Sequence, residues 1–310
     1  MKIKVIIALV TLCSSVSFGR PFKDTKNRVI NAEIKSVSGE EVTIVRDADN
    51  KEFTIPITSL SQVDQEFIKS WVADKTPKPD ESVKPSARFT IDFPDLEPDR
   101  KGTPAQVGVS IPPDYDPAKP APIFIWMSGG DGANGPTNAG VVDSDKFILV
   151  GLPFPKGANN PGQANMVGDF DTIWDDYHQP MLTQVFKRIP NIDRNLSIVG
   201  GFSNGAHCIA GVMQEAKNGG YPDFCNVFIL VDGGNGDKRL RGGKGDFLFA
   251  TWGETSPNAA ATEAAEKKAS GMETESFEMK DTGHTFAQSG KDKVKAWLET
   301  VVYPAAKSKK

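Results

Sequence analysis

The sequence predicts a mostly parallel α/β sheet with helices on both faces, preceded by a small β-rich domain. From residue 88 onward, short apolar runs alternate with helical stretches, which is typical of strands joined by crossover helices. Between residues 28 and 57, apolar and polar residues alternate singly, which is typical of a small antiparallel sheet. Residues 73–87 are rich in Lys, Pro, Asp and Ser and predict a linker between the two regions.

In the larger region, residues 88–306, each apolar run is short enough for a strand and each amphipathic stretch long enough for a helix. Ligands of such sheets gather at the carboxyl ends of the strands, so chemistry-bearing residues there become candidates for the site. The predicted strands are residues 106–111, 122–127, 146–151, 196–200, 226–231, 246–251 and 273–279. The predicted helices are residues 172–188, 204–216, 258–269 and 291–302.

The beginning of the chain has the pattern of an export signal. Lys2 and Lys4 precede an apolar run at residues 5–12, and small residues follow as far as Gly19. The apolar run is too short to cross a bilayer as a helix. We therefore expect residues 1–19 to be a signal peptide, the mature protein to be secreted or periplasmic, and no segment to span the membrane.

The charge balance argues against nucleic acid as a partner. The 310 residues include 36 Lys and Arg against 40 Asp and Glu, which gives a formal net charge of −4. Proteins that bind nucleic acid through its phosphates need a basic patch or an excess of basic residues. Residues 307–310 form a short basic tail, which is too small to be such a patch. We expect no nucleic-acid partner.

The small region, residues 20–72, ends in a helix that Ser61 can cap and that reaches Trp71. Several short stretches make this region resemble the Sla-type homology domain of endocytic adaptors. The resemblance implies an SH3-like barrel that binds a short ligand, and for an exported chain we expect a peptide or a glycan. A β-rich spacer without a ligand is the alternative. The stretches that carry the resemblance are Arg20-Pro21-Phe22-Lys23-Asp24, Ala32-Glu33, Gly39, Val42, Ile55-Pro56, and Leu60-Ser61 followed by Asp64 and Ile68.

The most informative motif of the chain is Gly201-Phe202-Ser203-Asn204-Gly205, which reads Gly-x-Ser-x-Gly. It lies between a predicted strand and a predicted helix, and its glycines let the backbone make that sharp turn without a Cβ clash. The turn presents the Ser203 hydroxyl at the end of the sheet. It also leaves the Asn204 N–H free at a helix N-terminus, where negative charge is stabilised. Because the pentapeptide also recurs by chance, the neighbouring segments have to show whether Ser203 is a nucleophile.

Two further segments supply that context. The predicted strand at residues 122–127 is followed by a Gly-rich loop, residues 128–132, whose N–H groups can face the same oxyanion as Asn204. The last predicted strand is followed by His284. A serine hydroxyl is a poor nucleophile unless an imidazole takes its proton. We therefore expect Ser203 and His284 to act as nucleophile and base.

Residues 107–302 resemble the α/β-hydrolase family, nearest to exported esterases and polyhydroxyalkanoate-depolymerase-like members. The resemblance implies that Ser203 is the nucleophile, that His284 is the general base and acid, and that the backbone amides of Asn204 and Gly130 form the oxyanion hole. It implies hydrolysis of carboxylic esters through an acyl-enzyme. One departure is Ser128, where the family has a histidine before the loop glycines. The matching stretches are Ile111-Pro112-Pro113-Asp114-Tyr115, residues 128–132, residues 201–205 and Gly283-His284.

The family's third catalytic residue, an acid, has two candidates in this chain. The family has Gly-x-x-Asp after the strand at residues 246–251, but Ser256 holds the place of the acid here. Glu254 keeps the chain order of nucleophile, acid and histidine, and it is our first candidate. Asp232, which ends the preceding strand, is the second. Asp281 shares a loop with the histidine and is more typical of a turn.

The remaining reactive residue types favour structural roles. The histidines His178, His207 and His284 are too dispersed to indicate a metal site, and we expect neither a metal nor a cofactor. Asp175 and Asp176, which precede His178, point in different directions on a helix and indicate a solvated face. His207 lies one helical turn after Ser203 and is expected to pack beneath it.

Beyond the signal peptide the cysteines are Cys208 and Cys225, and the sequence leaves open whether they form a disulfide or stay in the core.

Together these features predict a secreted serine hydrolase that cleaves carboxylic esters through Ser203 and carries an appended binding module. The alternative is a catalytically weak or inactive binding protein of the cell envelope on the same fold, because losing the triad acid costs roughly 10⁴-fold in turnover. The acyl group, the leaving group and the oligomeric state are beyond the sequence.

Overall fold

The computed structural model describes residues 19–75, 80–155, 170–234 and 239–308. Contacts between Cα atoms divide the chain into two compact units, Met1–Pro77 and Lys78–Lys310. The predicted signal peptide lies outside the described residues except for Gly19.

The first unit is a four-stranded antiparallel sheet with one long helix. The strands pair in chain order, β1-β2-β3-β4. Phe22, Ala32, Val42, Ile44, Leu60 and Ile68 form its buried core. The predicted small β unit is therefore confirmed, whereas an SH3-like barrel remains a prediction. The elements are β1 (Arg20–Lys23), β2 (Val29–Ser38), β3 (Glu41–Arg46), β4 (Glu52–Pro56), a 3₁₀ turn (Ile57–Ser59) and α1 (Gln62–Lys75).

A buried carboxylate ties the helix of this unit to its first strand. Asp64 is 2% exposed and accepts hydrogen bonds from the Arg20 guanidinium at 2.7 Å, the Lys23 N–H at 2.8 Å and the Ser61 hydroxyl at 2.7 Å. Ser61 in turn accepts the Asp64 N–H at 3.3 Å, so it caps helix α1 as the sequence predicts.

The second unit is built on an eight-stranded sheet in the order β12-β11-β10-β9-β7-β8-β6-β5. β6 pairs antiparallel with β5 and with β8, and the other pairs are parallel. The predicted mostly parallel sheet is therefore confirmed, and β5 is a strand that the sequence analysis missed. The strands are β5 (Arg88–Asp92), β6 (Gln106–Ser110), β7 (Ala121–Met127), β8 (Ile148–Gly151), β9 (Ile192–Phe202), β10 (Val227–Val231), β11 (Arg241–Gly253) and β12 (Ser270–Met279).

Helices cover both faces of this sheet. Along the central strand β9, Ile198 belongs to one buried apolar cluster and Val199 to the other, which is the two-residue alternation of a strand buried on both sides. Two of the predicted helices are interrupted by π-helical turns, at Trp174–His178 and Leu298–Val302. The helices are α2 (Phe170–Ile173), α3 (Gln179–Arg188), α4 (Asn204–Glu215), α5 (Ala259–Lys267), α6 (Gln288–Trp297) and α7 (Tyr303–Ser308).

The predicted linker, residues 73–87, is shorter in the structure. Helix α1 continues to Lys75. Val83 is 5% exposed and belongs to the core of the second unit, while Asp80 pairs with Arg188 at 3.0 Å. The segment therefore begins within helix α1, and Asp80 and Val83 belong to the second unit, while residues 76–79 lie outside the described part. Helix α7 likewise reaches Ser308, within the predicted basic tail.

Across the described residues, none of the helices combines the length and the apolar character needed to cross a membrane.

Candidate active site

Ser203 stands on a strained turn between β9 and helix α4. Its φ of 54° and ψ of −117° are unusual for a residue with a side chain. A Cβ on Gly205 would lie 2.2 Å from the Met127 carbonyl oxygen, so only glycine lets the helix start so close to β7. The Ser203 N–H is bonded to Val231 O on β10 at 2.9 Å, which holds the turn against the neighbouring strand. The sequence pattern and the structure agree on this turn.

A continuous line of hydrogen bonds connects Ser203, His284 and Asp232. The Ser203 Oγ lies 2.9 Å from His284 Nε2, and His284 Nδ1 lies 2.7 Å from Asp232 Oδ2. Asp232 is fully buried and His284 has 37% of its side chain exposed. The imidazole can therefore take a proton from the serine on one side while the carboxylate orients it on the other.

Strand order explains why these three residues meet. Ser203 follows β9, Asp232 follows β10, and His284 lies in the loop after β12. These strands are parallel in the order β12-β11-β10-β9, so their carboxyl ends share one edge of the sheet. Asp232 has a φ of 51°, and its N–H bonds to Thr251 O at 2.8 Å. Its side chain is turned toward the histidine loop from the strand beside the nucleophile.

Our first candidate for the acid, Glu254, does not hold the imidazole. Its carboxylate accepts the Asp281 N–H at 3.0 Å and the Lys280 ammonium at 3.1 Å. The Asp281 N–H and then Lys280 lower the pKa of this carboxyl. Its own N–H bonds to Met279 O at 3.0 Å, which continues the pairing of β11 with β12 and directs the side chain along the rim of the sheet. Glu254 fastens the loop that carries His284, and Asp232 takes the position beside the ring.

Ser256 and Asn258 complete the surroundings of the imidazole. The Ser256 hydroxyl and the Asn258 amide each lie 3.5 Å from His284 Nδ1, at the outer limit of a hydrogen bond. Asn258 also donates to the Asp232 carbonyl oxygen at 2.9 Å. The Phe202 ring stacks on His284 with centroids 5.0 Å apart. The ring is thus flanked by an aromatic face, a carboxylate and two polar side chains.

The Gly-rich loop is tied to the serine turn through a side chain that sequence reasoning missed. The Asn204 side-chain amide donates to the Gly130 carbonyl oxygen at 2.8 Å, and Gly130 has a φ of 62°. This bond joins the loop to the start of helix α4. The backbone N–H groups of Asn204 and Gly130 remain the predicted oxyanion donors. An amide side chain directly after a predicted nucleophile is the signal that could have indicated this tie.

The other two histidines and both cysteines are buried, whereas Asp175 is half-buried and Asp176 is exposed. His207 is 6% exposed and lies beneath the turn, as expected. His178 is fully buried, and burial lowers its pKa to about 4. Cys208 and Cys225 are both buried free thiols, and burial raises the pKa of Cys208 to about 12. Among the residues that the structure describes, no group of three or more His, Cys, Asp or Glu could hold a metal ion.

Comparison with solved structures places this chain near several hydrolases. An apo form of Thermogutta terrifontis esterase 2 is 12% identical, with 73% of this chain and 97% of that chain covered and a TM-score of 0.46. The ferulic acid esterase AmCE1/Fae1A from Anaeromyces mucronatus is 15% identical, with 75% and 96% covered and a TM-score of 0.45. At these identities the likeness concerns the fold alone.

A Bacteroides ovatus protein assigned as a dipeptidyl aminopeptidase IV is 14% identical, with a TM-score of 0.43. The match covers 90% of this chain but only 41% of that longer one. No protein-family model and no curated protein matches the sequence.

Proposed function

We propose that the second unit is a serine hydrolase of the α/β-hydrolase family that cleaves carboxylic esters. The observation that carries the proposal is the line of hydrogen bonds from Ser203 Oγ through His284 to Asp232, with distances of 2.9 and 2.7 Å. A hydroxyl, an imidazole and a buried carboxylate in this order are what nucleophilic acyl transfer needs.

The first half of the reaction forms an acyl-enzyme. His284 Nε2 takes the proton of the Ser203 hydroxyl as Oγ attacks the ester carbonyl carbon. The oxyanion that forms lies against the N–H groups of Asn204 and Gly130, whose positions the Asn204–Gly130 bond holds in advance. The protonated imidazole then gives its proton to the departing alkoxide, and the alcohol leaves.

The second half returns the enzyme to its starting state. His284 takes a proton from water as the water oxygen attacks the acyl carbon, and Ser203 Oγ leaves with that proton as the acid is released. Asp232 acts in both halves, because its carboxylate keeps the proton of the neutral ring on Nδ1 and stabilises the imidazolium. It acts on the ring and does not itself become protonated.

The proposal includes export and a binding role for the first unit. Export is supported by the signal pattern of residues 1–19. The binding role is supported by a cleft of about 970 Å³ within the first unit, whose lining includes the apolar Ile30 and Phe53 and the charged Lys26. Val29, which also lines it, is 61% exposed. A cleft that joins apolar and charged side chains suits a short peptide or glycan.

Covalent labelling tests the hydrolase proposal. We expect a fluorophosphonate probe to add one adduct to the full chain and none to Ser203→Ala, measured by intact mass. Ser256→Ala is the matched control and should label like the wild type, because Ser256 Oγ lies on the Nδ1 side of the imidazole.

Labelling of Ser203→Ala, or no labelling of the wild type, would contradict the proposal. The second outcome would favour the weak or inactive binding protein on the same fold.

A further inference from the structure

His207 links the helix that carries the nucleophile to the loop that carries the acid. It lies one turn into helix α4, and its N–H bonds to Ser203 O at 2.9 Å. Its ring nitrogen Nδ1 lies 2.7 Å from Gly234 O and 3.1 Å from Gly234 N. Gly234 follows Asp232 by two residues. His207 therefore contacts both segments that set the distance between nucleophile and acid, the Ser203 turn through its backbone N–H and the Asp232 loop through its ring.

The acid loop lies directly on the first turn of helix α4. A Cβ on Gly233 would be 2.3 Å from Ser203 O and 2.9 Å from Ala206 Cβ, so the two backbones are as close as glycine allows. Asn258 holds the other side of the loop through the Asp232 carbonyl oxygen at 2.9 Å. A shift of this loop would therefore move Asp232 relative to His284.

Nδ1 of His207 meets both backbone groups of Gly234, the carbonyl oxygen at 2.7 Å and the N–H at 3.1 Å. In either tautomer of the ring, one of these two contacts is a hydrogen bond to Gly234. Nε2 is buried and has no hydrogen-bond partner in the described part of the chain. Burial lowers the pKa of His207, outweighing the bond to Gly234 and the influence of Asn258 and Asp232, which raise it. Because His207 is neutral, it does not compete with His284 for an ionic interaction with the Asp232 carboxylate.

We propose that His207 is a positioning residue of this site, which holds the Asp232 loop on helix α4 and thereby sets the contact between Asp232 and His284. The inference rests on the proposed function and adds a residue outside the line of hydrogen bonds. His207 does not touch the reacting atoms, so its effect reaches the reaction through the geometry of the carboxylate.

Two substitutions at position 207 distinguish the effect of the bond to Gly234 from the effect of filling the space that the ring occupies. His207→Phe fills the site but removes the bond to Gly234. His207→Asn places a side-chain amide where Nδ1 lies and keeps a bond to the Gly234 backbone. With a soluble ester and the full chain, we expect His207→Phe to lower kcat by about 10- to 100-fold with little change in KM, because small misplacements of catalytic groups have effects of this size. His207→Asn should recover activity to within about threefold of the wild type.

Two readouts distinguish positioning from a loss of stability. In His207→Phe the midpoint of the acid limb of kcat/KM should move down by about one pH unit, because the imidazolium loses an aligned carboxylate. The Nδ1–H proton resonance of His284 should also move upfield in spectra of histidine-labelled protein. The three histidines of the chain make this spectrum simple to assign. Val212→Ala, a buried change on the same helix, is the control and should alter neither readout.

The proposal is overturned if His207→Phe keeps the wild-type resonance and acid limb, if His207→Asn is as impaired as His207→Phe, or if Val212→Ala reproduces the effect at an equal loss of Tm. Failure of the proposed function is distinguishable. A wild-type chain that neither hydrolyses esters nor labels at Ser203 would refute that function, while the resonance of His284 would still report whether His207 positions the pair.

Discussion

Asp232 is a carboxylate that the surrounding chain has almost completely removed from water. Its Oδ2 faces His284 Nδ1 at 2.7 Å, while its Oδ1 is buried with no hydrogen-bond partner among the described residues. Burying a carboxylate that has a hydrogen bond on only one of its oxygens costs free energy. Its attraction to the neighbouring imidazole is strongest when that ring is positively charged. The ring becomes positive during acyl transfer, so the contact between Asp232 and His284 belongs to the proposed chemistry.

At this scale we predict that Asp232→Asn lowers kcat on the order of 10⁴-fold, because the amide favours the wrong imidazole tautomer. Glu254→Gln should stay within a few-fold of the wild type, because the Glu254 carboxylate bonds to the Asp281 N–H and the Lys280 ammonium rather than to the imidazole. Hydrolysis rates of a soluble ester measure both, with circular dichroism confirming the fold. If Glu254→Gln lost as much turnover as Asp232→Asn, Glu254 would again be a candidate for the catalytic acid.

At the scale of elements, prolines account for the two interruptions of the helices. Helix α3 has Pro180 at its second residue and helix α7 has Pro304 there, each just after a π-helical turn. A proline has no N–H to donate and clashes with the carbonyl four residues earlier, so the helix widens before it. The first of these turns contains His178, whose Nε2 bonds to Pro153 O at 2.8 Å and whose Nδ1 meets the Tyr221 hydroxyl at 2.7 Å.

This turn makes the stability of the second unit depend on pH. Burial lowers the pKa of His178 from 6.5 to about 4, so below pH 6.5 the unfolded chain binds a proton that the folded chain excludes. Stability is therefore lost as pH falls from 6.5 to 4, by roughly 3 kcal/mol from this group. Urea unfolding at pH 7 and pH 4 measures the loss. His178→Gln, which cannot titrate, should show a smaller difference, and an unchanged difference would exclude His178 as its source.

At the scale of the whole molecule, each unit has its own core. The core of the first unit is small, and Asp64 supports it by joining Arg20, Lys23 and Ser61. The proposed chemistry lies within the second unit, in segments between Met127 and His284. Stability of the first unit and turnover should therefore be separable.

We predict that Asp64→Asn destabilises the first unit by about 2 kcal/mol, because it weakens the hydrogen bonds to a buried carboxylate and removes its ion pair with the half-buried Arg20. Calorimetry of the full chain should show a lower Tm for the transition in which the first unit unfolds. Ester turnover should stay at the wild-type level. Glu66→Gln, an exposed change on the same helix, is the control. A parallel fall of turnover in Asp64→Asn would show that the units depend on each other.

Local sequence patterns were enough to predict most of the elements and the turn at Ser203. Apolar periodicity predicted most strands and helices, and glycines around Ser203 indicated the turn because only glycine fits there. These signals are local, since each depends on a few neighbouring residues. Strand β5 was not predicted, because it lies at the edge of the sheet and most of its side chains are exposed, so its apolar pattern is weak.

The choice between Glu254 and Asp232 as the partner of His284 required the folded chain. Both follow strands, and chain order favoured Glu254. The direction of each side chain depends on how β10 and β11 pair with their neighbours, which no local pattern contains. The same holds for His207, whose contact with Gly234 spans two elements. Contacts between residues distant in sequence arise from strand order and close packing, and these exist only in the folded chain.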